Sequence, residues 1–308
     1  MTNDVMLWGL FNGFILGVLV LDLWLFHREA HTIKVKEALI ASALWIGLAL
    51  LFNVGIFVVR GSEDGFNFIT GYLVELSLSI DNLFVFMLLF HYFSVPKRYL
   101  HKVLFLGILG AIVMRTLFIA GGILLISTFH WLLYVLGAFL IVTGCKLAWE
   151  KDSKIKPEDN PVIKLFRKIM PVTTDYEEGK FFVTRNSMVM ATPLFIVLLA
   201  VETTDVIFAM DSIPAIFAIT LDPFIVYTSN IFAILGLRSF YFAIAGMMGL
   251  FHYLHYGLAA ILVFIGVKML VSGFVVVPIG YTLGFIVVTI VASVAASIAK
   301  PREGTKGT

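Results

Sequence analysis

The sequence predicts an all-α, polytopic membrane protein with about nine transmembrane helices. Of its 308 residues, 60% are hydrophobic and only 14% are charged, and the mean hydropathy is +1.00. A soluble domain typically has about a quarter of its residues charged. About nine apolar segments are present, each near the roughly 20 residues that a helix needs to cross a bilayer. These segments are 5–26, 38–59, 69–91, 102–126, 131–149, 189–219, 226–249, 254–272 and 276–299.

The basic residues predict the orientation of the spans, because Lys and Arg collect in the cytoplasmic loops of membrane proteins. With nine spans, the loops 27–37, 92–101 and 150–188 share one face with the C-terminal tail and hold most of the basic residues, whereas the other face has Arg60. The N-terminus is therefore expected outside and the C-terminus in the cytoplasm. The start of the chain has no basic region or cleavage site, so it is expected to stay as the first helix.

The long loop 150–188 carries eight basic and seven acidic residues. Because these charges nearly balance over the whole loop, we predict a solvated connector rather than a patch that binds nucleic acid or lipid. A regulatory role for the loop stays open.

The chain contains an internal repeat. The stretch "FHWLLYVLGAFLIVTGCKL" (129–147) aligns without a gap with "FHYLHYGLAAILVFIGVKM" (251–269). Each copy has three spans, so the second copy is expected to enter the membrane from the opposite face, as in secondary transporters whose substrate site lies between inverted copies. Duplication without retained function is the alternative, and it is disfavoured by the polar residues that match. The matched pairs are Glu75 with Asp205, Asp81 with Asp211, Asn82 with Ser212 and Arg115 with Arg238.

The repeat divides the chain into five parts. They are two N-terminal helices (1–68), repeat A (69–149), a cytoplasmic loop (150–188), repeat B (189–272), and the last helix with the tail (273–308). The first helix of repeat B is expected to break near 210–214, because Pro214 removes a backbone hydrogen bond and clashes with the preceding turn. Such a break would re-aim Asp211 towards the other acids.

Seven ionisable residues are expected deep in the membrane. Each costs roughly 2.5–3.5 kcal/mol at a helix centre, so together they would cost about 20 kcal/mol if they faced lipid, more than the net stability of a typical domain. They are therefore expected to face one another, water or a bound ion. Their charges sum to −3, which a divalent cation with a proton would bring near neutrality. The residues are Glu75, Asp81, Glu202, Asp205 and Asp211 with Arg115 and Arg238.

The side chains in these spans favour a hard divalent cation. Carboxylate, amide and hydroxyl oxygens suit Mn²⁺, Mg²⁺ and Ca²⁺ better than Zn²⁺ or Cu⁺, and the single cysteine, Cys145, excludes a thiolate-rich site. We therefore predict a metal site between the two copies, with Arg115 and Arg238 as charge partners or gating groups. The predicted ligands are Glu75, Asp81, Asn82, Glu202, Asp205, Asp211 and Ser212.

The stretches "GYLVELSLSIDNLFVFMLLFHYFSVP" (71–96) and "VETTDVIFAMDSIPAIFAITLDPFIVYTSNIFAILGLRSFYF" (201–242) resemble the TerC family, and its Alx-type members most closely. The block "DSIPAIFA" (211–218) is very specific, and the resemblance extends over nearly the whole chain. It implies a bacterial inner-membrane protein linked to manganese export and, by name, to tellurite resistance. The acidic motif residues of the family carry over to the seven predicted ligands.

The sequence thus predicts a manganese exporter, not an enzyme, with protons as the counter-transported ion. Export of two charges against the membrane potential costs about 4.6 kcal/mol per 100 mV, and the nucleotide motif GxxxxGK[ST] is absent from the sequence. Ca²⁺ and Mg²⁺ stay open as substrates. The alternatives are a membrane scaffold that delivers Mn²⁺ to exported proteins or assists their insertion, and an exporter of a small organic cation or amino acid. Nucleic acid is not an expected partner.

Overall fold

The structure is a computed structural model that describes residues 2–26, 35–149, 160–185, 188–245, 253–275 and 277–299. Two short strands, β1 (Phe182–Arg185) and β2 (Met188–Ala191), pair antiparallel. A 3-10 turn spans Glu177–Gly179. The helices are α1 (Thr2–Phe26), α2 (Val35–Arg60), α3 (Ser62–Tyr92), α4 (Lys97–Thr128), α5 (Leu132–Trp149), α6 (Pro161–Ile169), α7 (Pro193–Phe217), α8 (Pro223–Ala245), α9 (Leu254–Val271) and α10 (Ile279–Ala299).

The predicted membrane-spanning architecture is confirmed over the described residues. One long helix overlaps each of the nine predicted apolar segments, and eight of these helices are long and apolar enough to cross a membrane. The remaining one, α1, is apolar over Val5–Val20. An all-α, polytopic membrane protein is therefore the class of this fold.

The prediction for the sixth apolar segment (189–219) is wrong in two respects, the start of the helix and the break within it. Residues 188–191 belong to β2, and α7 begins at Pro193, whose fixed φ suits the first position of a helix. The expected break near 210–214 is absent, since α7 continues to Phe217. Pro214 lies in the last turn of α7 and removes one backbone hydrogen bond there. Only three helical residues follow it, so a bend at this position would change the direction of a very short segment. Asp211 therefore stays on a regular helix.

Contacts between the helices establish their relative directions. Helix α3 runs parallel to α8, α4 runs parallel to α7, and α5 runs antiparallel to α9. Two inverted three-helix copies would require these directions, and the duplication itself stays a prediction. The contacts are Gly71 with Ser229 and Phe90 with Tyr241, Gly107 with Val201 and Gly122 with Phe217, and Gly137 with Met269 and Gly144 with Ala259.

Helix α8 is the most enclosed of the candidate spans in the described residues. Of its most apolar 18-residue stretch, 89% is buried inside the protein, where α8 packs against α2, α3 and α4. A helix that is apolar on all sides belongs inside a protein. Its polar residues Thr228, Ser229 and Asn230 are consequently buried. The first two donate their hydroxyl hydrogens to the carbonyls of Phe224 and Ile225, at 2.7 Å each. Asn230 instead finds its partners on other helices.

The segment before α7 is docked on the helices rather than solvated, so the predicted solvated connector is wrong for its described part. Ile163 of α6 is buried in the same core as α3, α4 and α7. The Tyr176 hydroxyl donates to the carbonyl oxygen of Phe93 at 2.5 Å, and Lys102 Nζ donates to the carbonyl oxygen of Gly179 at 2.8 Å. Burial also raises the pKa of the Tyr176 phenol. The average charge of the loop did not reveal these contacts.

Helices α5 and α9 approach each other closely through glycines. A Cβ atom on Gly266 would lie 2.6 Å from the carbonyl oxygen of Gly137 and 2.8 Å from Cγ1 of Ile141. Small residues allow such backbone contact between membrane helices, where van der Waals packing replaces the hydrophobic effect as the driving force. This packing joins the last helix of each predicted copy.

We expect Gly266→Val to lower the free energy of unfolding by about 1–3 kcal/mol, the usual effect of overpacking a close contact. The backbone oxygen of Gly137 can move away only if the two helices separate. Gly284→Val on α10 is the matched control, because a Cβ atom there meets nothing within 4 Å. Thermal unfolding in detergent measures both variants, and equal midpoints for the two would contradict the close contact.

Candidate functional site

The candidate site is built around Arg115 of α4, whose side chain is 0% exposed. The guanidinium forms an ion pair with Glu75 of α3. Its Nη1 also donates to Oδ1 of Asn230 on α8 at 3.0 Å and to Oγ of Ser212 on α7 at 3.2 Å. Its Nη2 donates to Oδ1 of Asp205 on α7 at 3.4 Å. One cation therefore connects four helices in the interior.

Glu75 is the most fully bonded acid of the site. Besides the ion pair with Arg115, its Oε2 accepts from Nδ2 of Asn230 at 3.1 Å. Its Oε1 lies 3.5 Å from the hydroxyl of Ser79, which is four residues further along α3 and so on the same face. Several donors on one carboxylate stabilise its charged form in an apolar interior.

The cluster is not fully satisfied. The second oxygen of Asp205, Oδ2, is buried and has no hydrogen-bond partner in the described residues, and neither has Nε of Arg115. Beside Asp205 is a cavity of about 10 Å³, lined also by Arg238, Gly107 and Ala111. This is near the smallest space that holds one water molecule. The site therefore combines an acceptor without a partner and room for a very small ligand.

The ionised side chains of this cluster carry a net negative charge. Glu75, Asp205 and Arg115 sum to −1 when all three are ionised, and the sum stays −1 when the neighbours Glu202 and Arg238 are counted as well. Removal of an ion from water costs several kcal/mol even after relaxation, and only close pairing compensates for it. The uncompensated charge favours a further cation beside Asp205.

The structure brings together part of the predicted site. Glu75, Asp205, Ser212 and Arg115 are in contact through the bonds above, and Arg238 lines the adjoining cavity. Asn82 is buried on α3, on the face that carries Glu75 and Ser79. Arg115 forms ion pairs with two of the predicted acids, and its role as a charge partner or a gating group stays a prediction. The full set of seven ligands stays a prediction.

Glu202 lies outside the hydrogen-bonded cluster, although its carboxylate is close enough to Asp205, three residues along α7, for the two charges to repel each other. Its carboxylate rests against Gly110 of α4, where a Cβ atom would overlap it. It lines an outer groove of about 470 Å³ with Val113, Met114 and Val206. The groove faces outward between α4 and α7, while Arg115 lies inside the bundle.

Asp81 and Asp211 also point elsewhere. The Asp211 carboxylate interacts with Thr143 and Lys146 of α5. Asp81 is half-buried on the side of α3 that carries Val74 and Leu78, and those two pack with α9 residues. Because six residues turn a helix by about 240°, acids six apart cannot share a face without a break. Within the described residues, no three Asp, Glu, His or Cys side chains are grouped closely enough to hold a metal ion.

Asn230 is the site residue that the sequence reasoning missed. It is 0% exposed and bridges Glu75 and Arg115 with its amide nitrogen and oxygen. Its signal in the sequence is the run Thr228, Ser229 and Asn230, three polar residues inside an apolar span. Burying an uncharged amide in a membrane costs less free energy than burying an ionised acid. A prediction based on charged residues therefore did not include Asn230.

Comparison with known proteins finds relatives of this chain among integral membrane proteins. The model of the "Integral membrane protein TerC family" matches residues 60–305. The "Uncharacterized membrane protein STKORF319" of Myxococcus xanthus is 49% identical over 297 residues, 96% of this chain and 93% of that protein. Proteins named "Putative membrane-bound redox modulator Alx" are 48% identical in Salmonella typhi and 47% identical in Escherichia coli (strain K12), each over 290 residues, 91% of this chain and 90% of theirs. No solved structure matches the chain.

Proposed function

The chain belongs to the TerC family of integral membrane proteins, and we propose that it exports divalent manganese in exchange for protons. The observation that carries this proposal is the buried, net-negative cluster of Glu75, Asp205 and Arg115 at the junction of α3, α4, α7 and α8. Ionisable residues inside a membrane protein mark ion and proton pathways by default, because they are expensive to keep there.

The chemistry of the cluster suits a hard cation. Glu75, Asp205, Ser212 and Asn230 present carboxylate, hydroxyl and amide oxygens, which Mn²⁺, Mg²⁺ and Ca²⁺ accept as ligands. In this conformation the guanidinium of Arg115 takes the position between the two carboxylates. We infer that the ion displaces it, so that Arg115 serves as a tethered cation that partly neutralises the two acids between transport cycles.

Protons are the proposed source of free energy. Moving Mn²⁺ out against an inside-negative potential costs about 4.6 kcal/mol per 100 mV, and a net-negative pair of acids can release protons when the metal arrives and take them up when it leaves. Counter-transport of protons would offset that cost.

The test is Mn²⁺ flux in proteoliposomes that contain an internal pH indicator. We expect saturable Mn²⁺ flux that rises as the pH on the receiving side falls, with proton movement in the opposite direction. Competition by added Ca²⁺ and Mg²⁺ identifies which of the three ions the protein transports. Protein-free liposomes are the control. Mn²⁺ flux that does not depend on pH would contradict coupling to protons but not the export of Mn²⁺.

Folded protein without flux for any of the three ions would remove the exporter and favour the membrane scaffold. Deletion of the connector would not separate these two functions, because its described part packs on α3, α4 and α7. The name of the Alx relatives suggests redox chemistry as a further function. This chain has a single cysteine, Cys145, so a disulfide couple within one chain is excluded.

A further inference from the structure

Helix α6 is strongly amphipathic, and the protein covers only part of its apolar side. Its five apolar residues after Pro161 fall within roughly 160° of the helix circumference at 3.6 residues per turn. Ile163 is 1% exposed and packs into the core, and the Phe166 ring lies 5.0 Å from the Phe195 ring of α7. The other three are exposed, namely Val162 by 40%, Leu165 by 60% and Ile169 by 73%.

The opposite face of α6 is basic. It carries Lys164, Arg167 and Lys168, and residues 160–170 include no acid. The near balance of charge over 150–188 concealed this segregation, because the acids of the described part are in 175–178. A helix with one apolar edge and a basic face fits the boundary between acyl chains and anionic phospholipid headgroups.

The position of α6 also places it beside a membrane span. The Asn160 side chain accepts from the backbone N–H of Val162 and Ile163, which starts the helix, and donates to Thr203 of α7 at 2.8 Å. Because Asn160 lies by Thr203 and Phe166 lies by Phe195, α6 runs back along the first turns of α7.

The β1–β2 pair extends the exposed apolar surface next to α6. The rings of Phe182 and Phe195 are 4.6 Å apart, so Phe182 neighbours the same aromatic residue that Phe166 contacts. Phe182, Met188 and Val189 are all exposed. An apolar surface of this kind beside a spanning helix suits lipid better than water.

We propose that α6 is an interfacial helix that inserts Val162, Leu165 and Ile169 among the acyl chains and binds anionic phospholipid headgroups through Lys164, Arg167 and Lys168. The proposal is independent of the transported ion. It replaces the solvated connector of the sequence-based prediction with a lipid-contacting element. The bilayer is the partner of this face.

Spin labels test the insertion on the full chain in phosphatidylcholine nanodiscs with and without phosphatidylglycerol. Cys145→Ser removes the exposed native thiol, and Leu165→Cys and Lys164→Cys place labels on the apolar edge and the basic face. We expect the label at 165 to collide several-fold more with oxygen than with a nickel chelate, and the label at 164 to show the reverse. Nickel access at both would overturn the proposal, and so would a label at 165 that neither reagent reaches, since protein would then cover this edge.

The charge requirement is tested by Lys164→Gln/Arg167→Gln/Lys168→Gln, with Lys97→Gln/Arg98→Gln at the start of α4 as the control. Mass spectrometry measures the phosphatidylglycerol that each purified protein retains from a mixed-lipid membrane. We expect a several-fold lower enrichment in the α6 variant and a smaller change in the control. Equal enrichment in wild type and the α6 variant would overturn the assignment of anionic lipid.

Discussion

Arg115→Gln is expected to lower the free energy of unfolding by about 3–5 kcal/mol, the usual result when one partner of a buried ion pair is removed. The variant leaves Glu75 without its counter-ion and Asp205 without its only hydrogen-bond donor in the described residues. Both carboxylates would remain in an interior that α8 closes off from water, so each must either stay charged at high cost or take up a proton.

Chemical unfolding in detergent measures this loss, and Arg98→Gln on the same helix is the matched control. Arg98 is exposed and lies over the ring of Tyr99, 4.6 Å from its centroid. A cation on an aromatic ring at an exposed site contributes about 0.5–1 kcal/mol, so the control loses far less. Similar losses in the two variants would contradict the central position of Arg115.

A double-mutant cycle with Glu75→Gln separates the ion pair from the general effect of either substitution. We expect the double variant to lose less stability than the sum of the two single variants, with a coupling of about 0.5–3 kcal/mol, because it removes both charges together. Additive losses would mean that the two side chains do not depend on each other for their burial.

The parts of this protein that could be predicted follow from the bilayer itself. Hydrocarbon thickness sets the length of a span, so the apolar runs located the nine long helices of the described residues. The cost of a charge in hydrocarbon predicted that the buried charges face one another, water or a bound ion, and Glu75, Asp205 and Arg115 do face one another. Both predictions rest on large energies that no detail of packing reverses.

The parts that could not be predicted depend on smaller energies and on helix rotation. Asn230 has no charge to mark it, yet it bonds both partners of the ion pair. Asp211 was assigned to the site on the expectation of a broken helix, and the regular α7 turns Asp211 towards α5 instead. Glu202 was assigned as one of the buried acids, and its carboxylate lines the outer groove beside Gly110. Charge averaged over the connector did not show that α6 has two distinct faces.

Asp205→Asn is expected to reduce Mn²⁺ flux at least tenfold while leaving the protein folded. The amide keeps an oxygen that accepts from Arg115, and the bond it replaces is long, at 3.4 Å, so little stability is lost. The substitution removes the negative charge, and Glu75 with Arg115 then sums to zero. A unit charge about 4 Å from a cation contributes roughly 4 kcal/mol at an effective dielectric constant of 20, which is enough to abolish the attraction of the site for the ion.

Asp211→Asn is the matched comparison, because it makes the same change six residues, about one and two-thirds turns, further along the same helix. Its carboxylate faces Thr143 and Lys146 rather than Arg115, so we expect a clearly smaller loss of flux. If Asp211→Asn instead removed the flux and Asp205→Asn kept it, the ion would pass along the α5 side of α7, and the central cluster would be structural. If both variants lost flux, a second conformation would have to bring Asp211 to the cluster, and that would restore the wider set of ligands that the sequence predicts. The pair therefore decides whether the buried Arg115 cluster is the ion site or only the ion pair that holds four helices together.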